Sequence, residues 1–194
     1  MKKFKLGFIV GRFQFVHKGH EQLINLGLDL CEKFVVVLGS SNESRTERCP
    51  FTFDERKEML EKIYGKDRLI IVPIFDIGIG YVPEWGKYVM NTIKFYCGEY
   101  PDFCIRGIEE NRSNWINKDV FDLNEMIISR NMIKISATNV RRYLSLLEFT
   151  DDDKEHIIGP QSKINYSDFI SDRYTIEDKK KYSKILNSIK TEKK

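Results

Sequence analysis

Along the chain, short solid runs of apolar residues alternate with longer stretches in which apolar positions recur at helical spacing. Gly7-Phe8-Ile9-Val10 is too short for a helix and reads as a buried strand. From Glu21 to Lys33 the period changes, with Leu23, Ile24, Gly27 and Cys31 on one face, and predicts a helix. Phe34 to Leu38 is a second strand, closed by Gly39-Ser40-Ser41, and a helix follows from about Phe53 to Tyr64 with Met59, Leu60 and Ile63 inward. Leu69 to Ile74, Phe103 to Arg106 and Met132 to Ile135 are the third, fourth and fifth strands, and helices run from about Glu84 to Phe95 and from about Thr138 to Leu147. Strands that are apolar throughout are covered on both faces, and strand–helix alternation joins them in parallel. The expected class is α/β: a parallel sheet of about five strands with helices on both faces. Ligands in such sheets sit at the carboxyl ends of the strands, where the strand order switches.

The pattern changes after Asp151-Asp152-Asp153. Residues 160 to 175 are polar with scattered aromatics and predict no firm element; from Ile176 the chain is lysine-rich, with Tyr182, Ile185, Leu186 and Ile189 at helical spacing. The division expected is a main domain over residues 1–150 and a C-terminal helical extension over 151–194, its lysines forming a solvated face. The 194 residues suffice for one substantial core. A net charge of only +3 does not indicate a broad nucleic-acid surface. The longest apolar runs are far too short to cross a membrane, and Met1-Lys2-Lys3-Phe4-Lys5 does not open a secretory signal. Cys31, Cys49, Cys97 and Cys104 form no C-x-x-C pair, which reads as reduced thiols in a cytoplasmic protein.

Two of the three histidines fall in "IVGRFQFVHKGH", residues 9 to 20. A strand that ends in a glycine, then a loop, then a helix start is a good place to hold an anion, because the helix's free N–H groups point at it. Gly11 and Gly19 remove side chains where a phosphate approaches, and Arg12 can fork onto its oxygens. His17 and His20, one turn apart, point to one side and can donate to a phosphate. A metal pair would need a third ligand at recognisable spacing, and none is present. The second constellation is "KISATNVRRYL", residues 134 to 144. Ser136 and Thr138 lie between the last strand and its helix, where hydroxyls cap, and Arg141 is one turn in. Alone this reads as a plain helix cap; paired with the first loop it reads as a second phosphate site on the same sheet.

With these residues in view, the chain resembles nucleotidyltransferases of the HxGH superfamily, and among them the archaeal-type nicotinamide-mononucleotide adenylyltransferases. "GRFQFVHKGH" is similar to that family's GRFQPxHxGH opening. "GSSNESRTERCPFTFDER", residues 39 to 56, resembles its GSxxxSxxxxxPFTxxER segment, and "ISATNVR", residues 135 to 141, fits ISxTxxR. The resemblance implies a Rossmann-like sheet and a reaction in which the mononucleotide's phosphate attacks the α-phosphorus of ATP, giving NAD and pyrophosphate, with Mg²⁺ carried by ATP and no metal held by the protein. It implies catalytic roles for His17, His20 and Arg141. ATP would be bound by Gly11, Arg12, Phe13, Gln14, Gly107, Glu109, Ser136 and Thr138. The mononucleotide would be bound by Gly39, Ser40, Arg48, Asp76 and Trp85, with Trp85 stacking on the pyridine.

Two departures from the family pattern stand out. Phe15 occupies the usual proline position, which predicts a less rigid loop. The segment after residue 150 does not match, so homo-oligomer contacts are left open. The nearest alternatives are a nicotinate-mononucleotide or dual-specificity enzyme. A non-catalytic NAD- and ATP-sensing regulator is the alternative from another class. No nucleic-acid or membrane partner is expected.

Overall fold

The computed structural model describes residues 2–78, 82–107, 121–129, 135, 137–147 and 166–191. The first two apolar runs form β1 (Phe4–Gly11) and β2 (Cys31–Leu38), paired in parallel from Phe4 opposite Cys31 to Gly11 opposite Leu38. Both begin earlier than their apolar runs do. Lys5, Glu32 and Lys33 are exposed at these ends, so the strands start on polar residues. β3 (Ile70–Pro73), β4 (Phe103–Gly107) and β5 (Asn124–Ile128) complete a five-stranded sheet, ordered β3-β2-β1-β4-β5 and parallel throughout.

The fifth strand is a correction. It is formed by Asn124–Ile128, which sequence periodicity passed over because an edge strand with a polar start carries little apolar signal. The stretch expected in that role, Met132 to Ile135, lies mostly outside the described residues.

α1 (Lys18–Leu30) starts three residues before the expected Glu21, because His17 caps it. It passes straight into β2, so Cys31, expected on the helix's inner face, is instead the first strand residue. A methyl group on Gly27 would lie 2.2 Å from the Phe34 ring, so only glycine lets α1 rest this closely on β2. α2 (Phe53–Tyr64) forms over its expected range; Thr52 and Glu55 exchange side-chain and backbone hydrogen bonds at its start. α3 (Pro83–Cys97) and α4 (Ala137–Leu144) also form.

Alternation along each strand splits the apolar residues between two layers. Leu6, Phe8, Val10, Val35, Val37, Val72 and Cys104 pack with Val89, Met90 and Ile93 of α3 on one face. Ile9, Phe34, Val36, Leu38 and Ile105 face Ile24 of α1, Met59 and Leu60 of α2, and Val140 and Leu144 of α4 on the other. A short 3₁₀ turn (Tyr166–Phe169) and α5 (Ile176–Thr191) join that second layer through Ile170, Tyr174, Tyr182 and Leu186. Among the described residues, no helix is long and apolar enough to cross a membrane.

Candidate active site

The site begins where β1 stops. Between Gly11 and His17 the backbone takes left-handed φ at Phe13 (47°) and Phe15 (88°), which costs about 1–3 kcal/mol at each non-glycine position. A methyl group on Gly11 would come within 2.8 Å of the Phe13 ring, so the folded-back loop requires a glycine there. Phe13 is buried and its ring lies against His20, with centroids 4.7 Å apart.

His17 is the N-cap of α1 and His20 its third residue. The Nδ1 atom of each ring accepts the other residue's backbone N–H, both at 3.4 Å, and the rings stack at 3.8 Å. With Nδ1 occupied as an acceptor, a neutral ring carries its proton on Nε2 as a donor. Burial, then the Arg141 charge, lowers the His17 pKa to about 4. His20 is also held well below its ordinary value, by burial first, then by His17 and Arg141. Both rings are therefore neutral donors at pH 7. An arriving polyanion would reverse that electrostatic balance and favour their protonation.

Arg141 reaches this loop from α4. Its guanidinium donates to the Gln14 carbonyl at 3.0 Å, and its other arm lies 3.5 Å from the Thr138 hydroxyl. Burial and the neighbouring Arg12 charge hold Arg141 below its ordinary value, while Arg12 itself is exposed. Two guanidinium groups, two imidazole donors and a helix start thus share one location. This is the electrostatics of a polyphosphate site.

Other expected residues sort differently. The Gln14 side chain is committed to the Phe51 backbone, donating at 3.2 Å and accepting at 2.8 Å. It ties the histidine loop to the segment before α2. Thr138 is exposed on α4, and Gly107 ends β4 opposite Ile128. Glu109 and Ser136 lie outside the described residues. Past β2, the Gly39 N–H donates to the Gly11 carbonyl at 2.8 Å, and Ser40 is buried with φ at 49°. Arg48 and Asp76 meet in an exposed 3.4 Å ion pair, which brings two of the expected mononucleotide contacts together. Asn42 holds the Asp76 backbone from both sides, accepting at 2.9 Å and donating at 3.3 Å. Trp85 is half-buried in the first turn of α3, against the layer on that face.

Sequence reasoning passed over Arg56. Its side chain is wholly buried and donates to the carbonyls of Arg12 (2.6 Å), Gly39 (2.8 Å), Ser40 (3.3 Å) and Thr52 (3.2 Å). Burial lowers its pKa to about 10, which leaves it charged at pH 7. One cation thereby joins the loop after β1 to the loop after β2. The available signal was an arginine in register with Met59, Leu60 and Ile63 on the inward stripe of α2.

The cytidylyltransferase-like family model matches residues 8–143. The chain belongs to the cytidylyltransferase-like family. Curated relatives include proteins named nicotinamide-nucleotide adenylyltransferase. That of Pyrococcus furiosus is 35% identical over 95 residues, covering 46% of this chain and 50% of its own. That of Saccharolobus solfataricus is 39% identical over 95 residues, covering 46% of this chain and 54% of its own. The match thus spans about half the length of these curated relatives. Among solved structures, a bifunctional NMN adenylyltransferase/ADP ribose pyrophosphatase from Francisella tularensis, complexed with AMP and a manganese ion, superposes with a TM-score of 0.70. It covers 98% of this cytidylyltransferase-like chain and 53% of its own at 17% identity, a likeness of fold.

Proposed function

We propose that the chain transfers the adenylyl group of ATP to nicotinamide mononucleotide, forming NAD and releasing pyrophosphate. The observation that carries this reading is the meeting of Arg141, from α4, with the loop after β1, around His17 and His20. The curated relatives' names support the choice of substrates. The nucleophile is the mononucleotide's phosphate, whose second pKa of about 6 leaves it ionised at pH 7. No general base is required. Its oxygen bonds to the α-phosphorus as the bond to the bridging oxygen breaks, and that electron pair leaves on pyrophosphate. What remains for the protein is alignment and charge stabilisation.

The His17 and His20 Nε2–H donors and the charges of Arg12 and Arg141 serve that second role. Thr138 and Ser136 would grip the departing phosphates, and Gly11, Gly107 and Glu109 would border the nucleotide. Gly39, Ser40, Arg48, Asp76 and Trp85 would face the mononucleotide, with the exposed Arg48–Asp76 pair weak enough to open for a phosphate. Mg²⁺ enters as part of the substrate, on the triphosphate oxygens. A cytoplasmic setting fits four free cysteines, three of them buried.

Chromatography of reactions containing ATP, Mg²⁺ and either pyridine mononucleotide tests the proposal. NAD and pyrophosphate in equal amounts are expected with nicotinamide mononucleotide. Product from the nicotinate substrate alone would reassign the specificity. Both ligands bound without product would favour the sensing regulator.

A further inference from the structure

We propose that residues 166–191 brace the histidine loop, and that Tyr174 is a positioning residue for His20. This rests on reading that loop as the phosphate-handling site. The Tyr174 hydroxyl donates to the Val16 carbonyl at 3.1 Å, in a buried setting. That carbonyl belongs to the same rigid peptide plane as the His17 N–H. The His17 N–H in turn donates to Nδ1 of His20. One continuous chain of hydrogen bonds therefore runs from the Tyr174 hydroxyl, through one peptide plane, to the His20 ring. Such chains polarise their members and fix the orientation of each. Without the hydroxyl, the plane loses the restraint on its carbonyl side, and the His17 N–H that sets the His20 tautomer is held less firmly.

The surrounding contacts act in the same direction. Phe15 holds its left-handed backbone with a fully buried ring, its centroid 5.4 Å from that of Tyr174 and 5.8 Å from that of Tyr182. Left-handed φ persists at a phenylalanine only where neighbours over-determine it, and these neighbours come from the C-terminal segment. Asp172 pairs with Lys18, the first residue of α1, at 3.0 Å. Lys62–Asp178 (2.6 Å) and Glu58–Lys181 (2.7 Å) fasten α5 to α2. Asn187 donates to the Ser145 carbonyl at 3.0 Å, and Asn139 of α4 donates to the Tyr166 hydroxyl at 3.1 Å. The helix that carries Arg141 and the loop that carries the histidines are thus secured to one common piece.

Tyr182 supplies the control. Its ring sits in the same cluster, but its buried hydroxyl has no hydrogen-bond partner among the described residues. Tyr174→Phe and Tyr182→Phe each delete one hydroxyl from the same core, so a purely structural role predicts equivalent effects. Steady-state adenylyl transfer and long-range ¹H–¹⁵N spectra of the histidine rings should be recorded for both. For Tyr174→Phe, kcat is expected to fall about tenfold with KM for each substrate changed less than about twofold. Its His20 nitrogens should shift from the Nε2–H tautomer pattern towards an averaged one. Tyr182→Phe should retain wild-type rates and spectra. Wild-type kcat and histidine spectra in Tyr174→Phe, or the same losses in both variants, would overturn the proposal.

Two situations remain covered. If wild-type protein transfers no adenylyl group, the functional reading fails while the histidine spectra still decide the brace. If Tyr174→Phe does not fold, hydrogen exchange of the wild-type protein in mild urea replaces it. The His17 and His20 amides should lose protection together with the amides of residues 174–182; protection that survives opening of that segment would refute the brace.

Discussion

At the scale of single residues, the two imidazoles show how a backbone capping arrangement becomes chemistry. Each ring accepts the other residue's N–H, so the exchange that starts α1 also selects the tautomer with its proton on Nε2. Under the proposed mechanism, replacing His20 with alanine should lower turnover by roughly a hundredfold or more, with the fold intact. Steady-state kinetics and circular dichroism check the two halves of that statement. The cost of keeping His17 neutral should appear in stability against pH. Its pKa falls from 6.5 to about 4 on folding, so below pH 6.5 the unfolded chain takes up the proton that the folded chain refuses. The His17 contribution is therefore full above pH 6.5, declines as pH falls towards about 4, and levels off below that. Urea midpoints across this window should show a shallower decline for His17→Gln than for the wild type. The histidines were legible because two of the chain's three lie within four positions. Gln14 was legible as a member of the motif but not in its role: a polar side chain bound to a backbone 37 residues away leaves no local trace.

At the scale of elements, most of the fold followed from periodicity, and the misses have physical causes. The starts of β1 and β2 carry exposed charges, at Lys5, Glu32 and Lys33, and so were read as loop or helix. Among the described residues the Asn124–Ile128 strand pairs on one side alone, with Ile127 47% exposed, and an edge strand needs no solid apolar run. Arg56 is the case where periodicity held and chemistry was hidden. It occupies an apolar position of α2 and serves as a fixed cross-link between two loops. Lysine there supplies a point charge in place of a planar fork and cannot serve four carbonyls. Arg56→Lys should lower stability by about 2–4 kcal/mol through unsatisfied buried carbonyls, as read from urea denaturation midpoints. It should also weaken binding of ATP and of the mononucleotide together, since it links the loops assigned to each.

For the whole molecule, strand order determines what can meet. With β1 central and β4 beside it, the histidine loop opens at the switch in order, and α4 returns to place Arg141 against it. The Trp85 side is reached separately, from α3 on the opposite face. Trp85→Ala should accordingly weaken pyridine mononucleotide binding and leave ATP binding unchanged; equal losses by calorimetry would contradict stacking. Under the proposed function MgATP binds the folded state, and at a hundred times its Kd it should add about 2.7 kcal/mol of stability, seen as a rise in Tm. The Phe15 backbone has a wider consequence. A φ of 88° is closed to proline, so this loop cannot take the ring-locked form of the family pattern and depends on partners elsewhere. Its hydrogen-bonded partner lies 158 residues downstream. On a ribosome, the sheet's first strand and the loop behind it emerge long before that partner is translated. Maturation of this loop therefore waits until Tyr174 has been translated, after most of the sheet's strands have emerged.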